Sequence, residues 1–455
     1  MFKKFVDENK INIINSISDL IGFKSVSVET DNINMPFGEE CKKVLDYILS
    51  LGEKMGFRTK NVDGYCGYIE FGKGAEIVGI IGHLDVVPAL EEDGWITTPF
   101  EANIRNNKIY GRGAIDDKGP VVASLYAMKA VAENCKINKR VRLILGLNEE
   151  RNWKCIKRYK QTEEIPTIGF SPDANFPAIY AEKGIISVSI TNNFSLNNYE
   201  ILYIDCNGNA LNVVPKYVAI KLRYTGTSNK IKFENEKNIS VEELECNVVK
   251  ITSTGIASHA AHPELGKNAI TILINYLSKY FENDYLKTLL NLGIFDIENP
   301  KFLNENLVIQ DESGILTSNV AVLEYIDGKL IIKINLRVPV KTNLDEIMLE
   351  YKNLANIFES IEIKELGRQN PLLVDKNSFL VQTLVNIYNK VTNSNEEAIA
   401  IGGGTYARAF ANCISYGATM PSDLDMCHQV DEFIDIDKLM LTAEIYAEAI
   451  YELAK

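Results

Sequence analysis

The sequence predicts an α/β protein: a mixed, mostly parallel sheet flanked by helices, carrying an inserted α+β domain. Three observations lead there. From about Glu76 short apolar runs alternate with helical patterns, after Lys183 the texture changes to alternating half-polar runs, and from about Ser378 helical patterns return. At 455 residues the chain exceeds the size at which one core keeps growing, which suits a domain with a large insertion. The expected division gives residues 1–183 and 371–455 to the α/β domain and 184–370 to the inserted one.

The elements follow in order. The N-terminal stretch MFKKFVDENKINIINSISDLIGF has apolar residues at helical spacing, interrupted by Asp7, Glu8, Asn12, Asn15 and Asp19. AEIVGIIGHLD reads as a strand buried on both faces, because its apolar run is continuous rather than alternating. DDKGPVVASLYAMKAVAEN reads as a helix opened by Asp117 and Pro120, RVRLILGLNEE as a second buried strand, and WKCIKRYKQ as another helix. In the insertion, ISVSITNN, YVAIKLRYTG, CNVVKITSTG and KLIIKINLRVPV alternate as antiparallel strands do, around a helix at NAITILINYLSKYF. SFLVQTLVNIYNKV and the tail DKLMLTAEIYAEAIYELAK close the chain as helices. Neither an internal repeat nor a low-complexity tract interrupts this order.

Composition excludes some classes of function. A formal net charge of −13 works against a nucleic-acid partner, whose phosphates are met by clustered Lys and Arg. The N-terminus lacks the unbroken apolar core of a signal peptide, and no run reaches membrane-spanning length, so a soluble cytoplasmic protein without a membrane partner is expected. The cysteines, Cys41, Cys66, Cys135, Cys155, Cys206, Cys246, Cys413 and Cys427, are scattered with no C-x-x-C pair, and read as small core residues rather than catalytic ones.

In an open α/β sheet functional groups gather at the carboxyl ends of the strands. His83 and Asp85 stand at such an end in IGHLDVVP, and Glu149 and Glu150 at another after RLILGLN. Asp116 and Asp117 lie in the glycine-rich loop GRGAIDDKG, and Asp173 in GFSPDANFP follows a further apolar piece. Alone, each has a plain structural reading: a strand-end histidine, a helix cap, a solvated acidic face. Together they crowd like charges that repel unless a cation lies among them. One His with carboxylates for each ion, and a carboxylate shared between two, suits Zn²⁺ and also Mn²⁺ or Co²⁺. Two ions about 3.5–4 Å apart clamp a water and make hydroxide near neutral pH, so hydrolysis is the implied reaction.

GHLDVVP, GRGAIDDKGP, LNEERNWK, SPDANFPAIYAEKG, SHAAHPELGKNA, GGGTYAR and CHQVDEFI resemble, in order and across essentially the whole chain, the PepV-like dipeptidases of the carnosinase/aminoacylase family of di-zinc metallopeptidases. The resemblance implies that Asp116 bridges two metals, with His83 and Asp173 completing one ion and Glu150 and His428 the other. It implies Asp85 as the group that orients the His83 imidazole, Glu149 as general base, and a cis peptide between Asp116 and Asp117 that places Asp116 for bridging. The insertion becomes a lid whose His259 stabilises the oxyanion, with Asn212 and Arg337 holding the substrate, Arg337 as a bidentate partner for a free carboxylate. A small peptide substrate and a monomeric chain follow from the same likeness. His262 is a variable position there and reads as a surface residue.

The chain also departs from the pattern. Where the family usually reads Glu-Glu-Ser-Gly, this chain has Glu149, Glu150, Arg151 and Asn152, and Asn148 stands where an acid is common. A lost glycine alters the freedom of the loop that carries the base, and Arg151 adds a cation beside the ligands. Three functions fit the residues: a metal-dependent dipeptidase, a deacylase or desuccinylase of N-acyl amino acids, and a catalytically weakened metal-binding protein.

Overall fold

The computed structural model describes the chain except residues 209, 228, 229, 246, 298–300, 302, 303, 359 and 360; Cys246 is outside the described residues. The chain forms two compact units. One comprises Met1–Tyr180, Leu373–Ile399 and Gly404–Lys455, the other Ala181–Leu372 and Ala400–Gly403. The expected breaks at 183/184 and 370/371 lie within three residues of these bounds, but Ala400–Gly403 groups with the insertion.

In the first unit the sheet is parallel at its centre. Ile77–His83, buried at every residue, pairs parallel with Arg140–Gly146 on one side and Ile168–Ser171 on the other. Cys413–Ser415 extends the parallel part, while Cys66–Gly72, Arg58–Val62 and the strand beginning at Ile179 add antiparallel pairings. Helix Lys118–Asn134 buries residues on all sides, from Val121 to Val131, because the helix Ile436–Ala454 packs on it as well as the sheet. Each fully buried Val or Leu there contributes roughly 1.5–3 kcal/mol of transfer free energy. Asp117 occupies the N-cap position of this helix, yet its carboxylate makes no capping bond. The Asp116–Asp117 peptide is cis, as the resemblance implies.

The N-terminal stretch forms two helices, Phe2–Glu8 and Lys10–Ile21. The inserted unit is antiparallel throughout its two four-stranded sheets. One has the order Thr317–Ile326, Lys329–Val338, Gly184–Asn193, Glu362–Gln369; the other Tyr199–Asp205, Tyr217–Tyr224, Val248–Thr254, Ile239–Glu243. Their apolar faces and the helices Ala269–Leu277, Asp284–Asn291 and Leu344–Asn353 share one core. Among the described residues no helix is long and apolar enough to cross a membrane, and seven cysteines are free, five of them buried.

Candidate metal centre

The parallel strands deliver their chemistry at one end of the first unit. His83 is the last residue of its strand, and Glu149 and Glu150 follow Arg140–Gly146 by three and four residues. Two groups of possible ligands form there: His83, Asp116 and Asp173, and Asp116, Glu150 and His428, each with its ligand atoms within 4.8 Å of one another. Asp116 belongs to both. His83 Nε2 lies 3.0 Å from Asp116 Oδ1 and 3.5 Å from Asp173 Oδ2, and His428 Nε2 lies 3.0 Å from both Asp116 Oδ2 and Glu150 Oε1. His428 holds its place in the left-handed region, at φ 64°, where a non-glycine residue is uncommon.

Asp117 faces the other way. Its Oδ2 accepts the backbone N–H of His83 at 3.1 Å, fixing the end of the strand. Burial, and then the charge of Asp173, pushes its carboxyl well above the usual range. Gly82 makes room for that contact, since a Cβ there would lie 2.6 Å from Asp117 Oδ2.

Asp85 acts differently from the expectation. His83 Nδ1 meets the backbone carbonyl of Asp85 at 2.9 Å, whereas the carboxylate is 3.7 Å away. The carbonyl therefore orients the ring and fixes Nε2 toward Asp116 and Asp173. The carboxylate, fully buried, accepts the N–H groups of Glu149 and Glu150 at 3.0 and 3.2 Å. Sequence spacing brings Asp85 to the right place without saying which oxygen serves which partner.

The electrostatics are those of crowded, buried and half-buried acids. Burial, and then the charge of Asp116, raises Glu150 to about 7 and Asp173 to about 6. Burial raises Glu149 well above its ordinary value, with Asp173 and Glu150 adding to the effect against the pull of His83. Burial also opposes the ionisation of Asp116, but His428 and His83 hold it far below the carboxylate range. Burial opposes the charge of His428 too, yet Asp116 and Glu150 push it up to about 12. The donor set fits divalent cations: His83 Nε2 is buried and aimed at two carboxylates while out of line for hydrogen bonding to either.

The unusual loop after Glu150 has its own support. Asn148, fully buried, donates to Ser27 Oγ at 2.8 Å and accepts the N–H of Lys154 at 3.1 Å, so an amide supplies both a donor and an acceptor. Asn152 and Lys154 both bind Glu29, and Lys154 first, then Asn152, holds that carboxyl low, with a smaller pull from Arg151. Arg151 is exposed. Trp153, one residue past the place of the missing glycine, lies in the left-handed region at φ 60°. Tyr406, in GGGTYAR, packs edge-on to His83 and Trp153 and hydrogen-bonds Cys155 at 2.7 Å.

The other expected residues lie in the inserted unit. Asn212 and His259 are exposed and sit on adjacent segments, with the Ala260 N–H donating to the Asn212 carbonyl at 2.8 Å and Val213 bridged to His259. Asn319 Nδ2 braces this turn from the carbonyl of Val213 at 2.9 Å. His259 Nδ1 accepts the Ala261 N–H, so in the neutral ring Nε2 carries the proton. Arg337 is buried, its Nε on Asn335 Oδ1 at 2.9 Å and its Nη1 on the Gly402 carbonyl at 3.0 Å. His262 is exposed, its Nδ1 3.2 Å from Glu264 Oε1. Sequence reading passed over Arg112 and Glu432, which tie the loops of Asp116 and His428 together; the Glu four residues after His428 was the available signal.

Paired carboxylates and imidazoles at the carboxyl ends of a parallel sheet define a metal-dependent hydrolase. Residues 79–452 match the model of Peptidase family M20/M25/M40. The chain belongs to that family and is a metallopeptidase. It is 38% identical over 469 residues to the "Putative dipeptidase YtjP" of Bacillus subtilis (strain 168), covering 99% of each chain. It is 35% identical over 472 residues to a "Putative dipeptidase" of Staphylococcus epidermidis, covering 100% of this chain and 99% of that one. The fold is similar to human carnosine dipeptidase 1, with a TM-score of 0.63 at 14% identity over 99% of this chain and 98% of that one. It is also similar to the dipeptidase Dug1p of Saccharomyces cerevisiae, with a TM-score of 0.62 at 13% identity over the same shares.

Proposed function

We propose that the chain hydrolyses the peptide bond of unblocked dipeptides, with His83, Asp116, Asp173, Glu150 and His428 holding two divalent ions, Zn²⁺ or alternatively Mn²⁺ or Co²⁺. The observation that carries this reading is the sharing of Asp116 between two ligand groups. Ions held there would polarise the scissile carbonyl and make a water acidic near neutral pH. Glu149 is the general base: half-buried beside Glu150 and Asp173, its carboxyl has a raised proton affinity that suits it to take a proton from water and pass it to the leaving amine. Asp85 positions it through the backbone.

The inserted unit is read as the lid. His259 stabilises the oxyanion with a hydrogen bond from its Nε2–H, Asn212 holds the substrate, and Arg337 meets its free carboxylate. The free thiols support a reducing, cytoplasmic setting, and the large insertion supports a monomer, which a solution mass tests.

The deciding experiment measures release of free amino acids from a panel of dipeptides after chelation, then after adding back Zn²⁺ or Mn²⁺, with N-acetyl and N-succinyl amino acids alongside. Metal-restored cleavage of the dipeptides supports the proposal. Cleavage of only the acylated substrates makes it a deacylase, and no cleavage with both ions bound makes it a silent metal-binding protein.

A further inference from the structure

Strands Lys108–Tyr110 and Phe433–Asp435 pair antiparallel, with Phe433 opposite Tyr110. The ladder continues one step, the Gly111 N–H donating to the Glu432 carbonyl at 3.0 Å. That register carries the Glu432 side chain beneath the GRGAIDD loop. Its carboxylate is fully buried and occupied on both oxygens. Oε2 accepts from Arg112 Nη1 at 2.7 Å and the Gly113 N–H at 3.1 Å; Oε1 accepts from the N–H groups of Ile115 at 3.0 Å and Asp116 at 3.2 Å. Arg112, itself buried, places Nη2 3.3 Å from the carbonyl of His428. One ion pair thus ties the main chains of the two loops that carry Asp116 and His428.

Fold stability does not by itself explain such a pair. Buried ions recover little net free energy over apolar packing of the same volume. Convergent amides around a fixed anion do something else: they set the path of the backbone. A carboxylate that serves two ligand groups, as Asp116 does, tolerates little error in that path.

We propose that Glu432, acting with Arg112, is a positioning residue for the metal centre, holding the Asp116 main chain and the His428 carbonyl so that both side chains reach a common ion. This rests on the two-ion reading above. Glu432→Gln keeps the volume and turns a donor toward Arg112 or toward the amides. Arg112→Lys keeps the cation beside Glu432 and removes the bond to the His428 carbonyl.

The test is calorimetric titration of chelator-stripped protein with Zn²⁺, alongside urea unfolding. Wild type should take up two ions; if it binds none, the two-ion reading fails and this proposal with it, before any variant is made. Glu432→Gln should weaken both ions by about 10–100-fold, because Asp116 serves both. Arg112→Lys should weaken one ion and spare the other, the affected one being that of Asp116, Glu150 and His428. A folded Glu432→Gln protein that loses stability but binds both ions as tightly as wild type overturns the proposal. If that variant does not fold, Arg112→Lys decides: two unchanged affinities overturn it.

Discussion

The Asp85 carboxylate grips the backbone of Glu149, its Oδ1 accepting that residue's N–H at 3.0 Å while Oδ2 takes the N–H of Glu150 at 3.2 Å. A proposed base and a proposed ligand are thereby held by one buried anion. Asp85→Asn turns an amide donor against one of those N–H groups. The expected result is a fall in kcat of about 10–100-fold with KM little changed, measured on the best dipeptide of the panel. Equal loss in kcat and rise in KM would place Asp85 in substrate binding instead.

Glu149→Gln tests the base itself. Gln fills the same space and cannot accept the proton, so kcat should fall by about 10²–10⁴-fold. Metal content, measured by atomic emission on the dialysed protein, should match wild type. Full turnover in this variant would sink the mechanism.

Protons and metal compete for the ligands. With Asp173 pushed up to about 6 and Glu150 to about 7, first by burial and then by Asp116, both carboxyls must be deprotonated before they coordinate. The raised values set the sign: Zn²⁺ affinity should fall as pH drops through this window and rise as pH climbs above it. Competition with a chromophoric chelator across the window reads the effect, and a flat profile contradicts it.

Gly82→Ala tests the support of His83. The new Cβ would stand 2.6 Å from both Asp117 Oδ2 and Val121 Cγ2, so the strand end and the helix must part. Overpacking of this kind costs about 1–3 kcal/mol, read as a lower urea midpoint. Weaker binding of the ion at His83, Asp116 and Asp173 should accompany it. A variant that is destabilised yet binds both ions normally would show that Asp117 does not hold His83 for coordination.

The sheet was legible in the sequence because strands buried on both faces must be continuously apolar, as Ile77–His83 is. His83, Glu150 and Asp173 were legible for a related reason: they stand at or just past strand ends, where polar residues interrupt an apolar pattern; the sharing of Asp116 and the part of His428 came from the family resemblance alone. Arg112 and Glu432 were not. In sequence each looks like an ordinary surface charge, and the pairing that buries them joins residues 320 positions apart. Nor does spacing distinguish a carbonyl from a carboxylate, which is how the orienting role at His83 passed from the Asp85 side chain to its backbone. The replaced glycine after Glu150 pointed to an altered loop; that Trp153 lies in the left-handed region only the backbone reveals.

The bond from Arg337 to the Gly402 carbonyl limits how the protein can be taken apart. Residues 181–372 form a continuous stretch, but the unit they build also owns Ala400–Gly403, reached after a further passage of chain through the other unit. Excised at its two long boundaries, the insertion would leave a buried guanidinium short of an acceptor, at a cost of about 1–3 kcal/mol or more for a charged group. It is therefore not a cassette that can be transplanted between relatives as a single segment: any exchange of specificity has to carry the short glycine-bearing return with it.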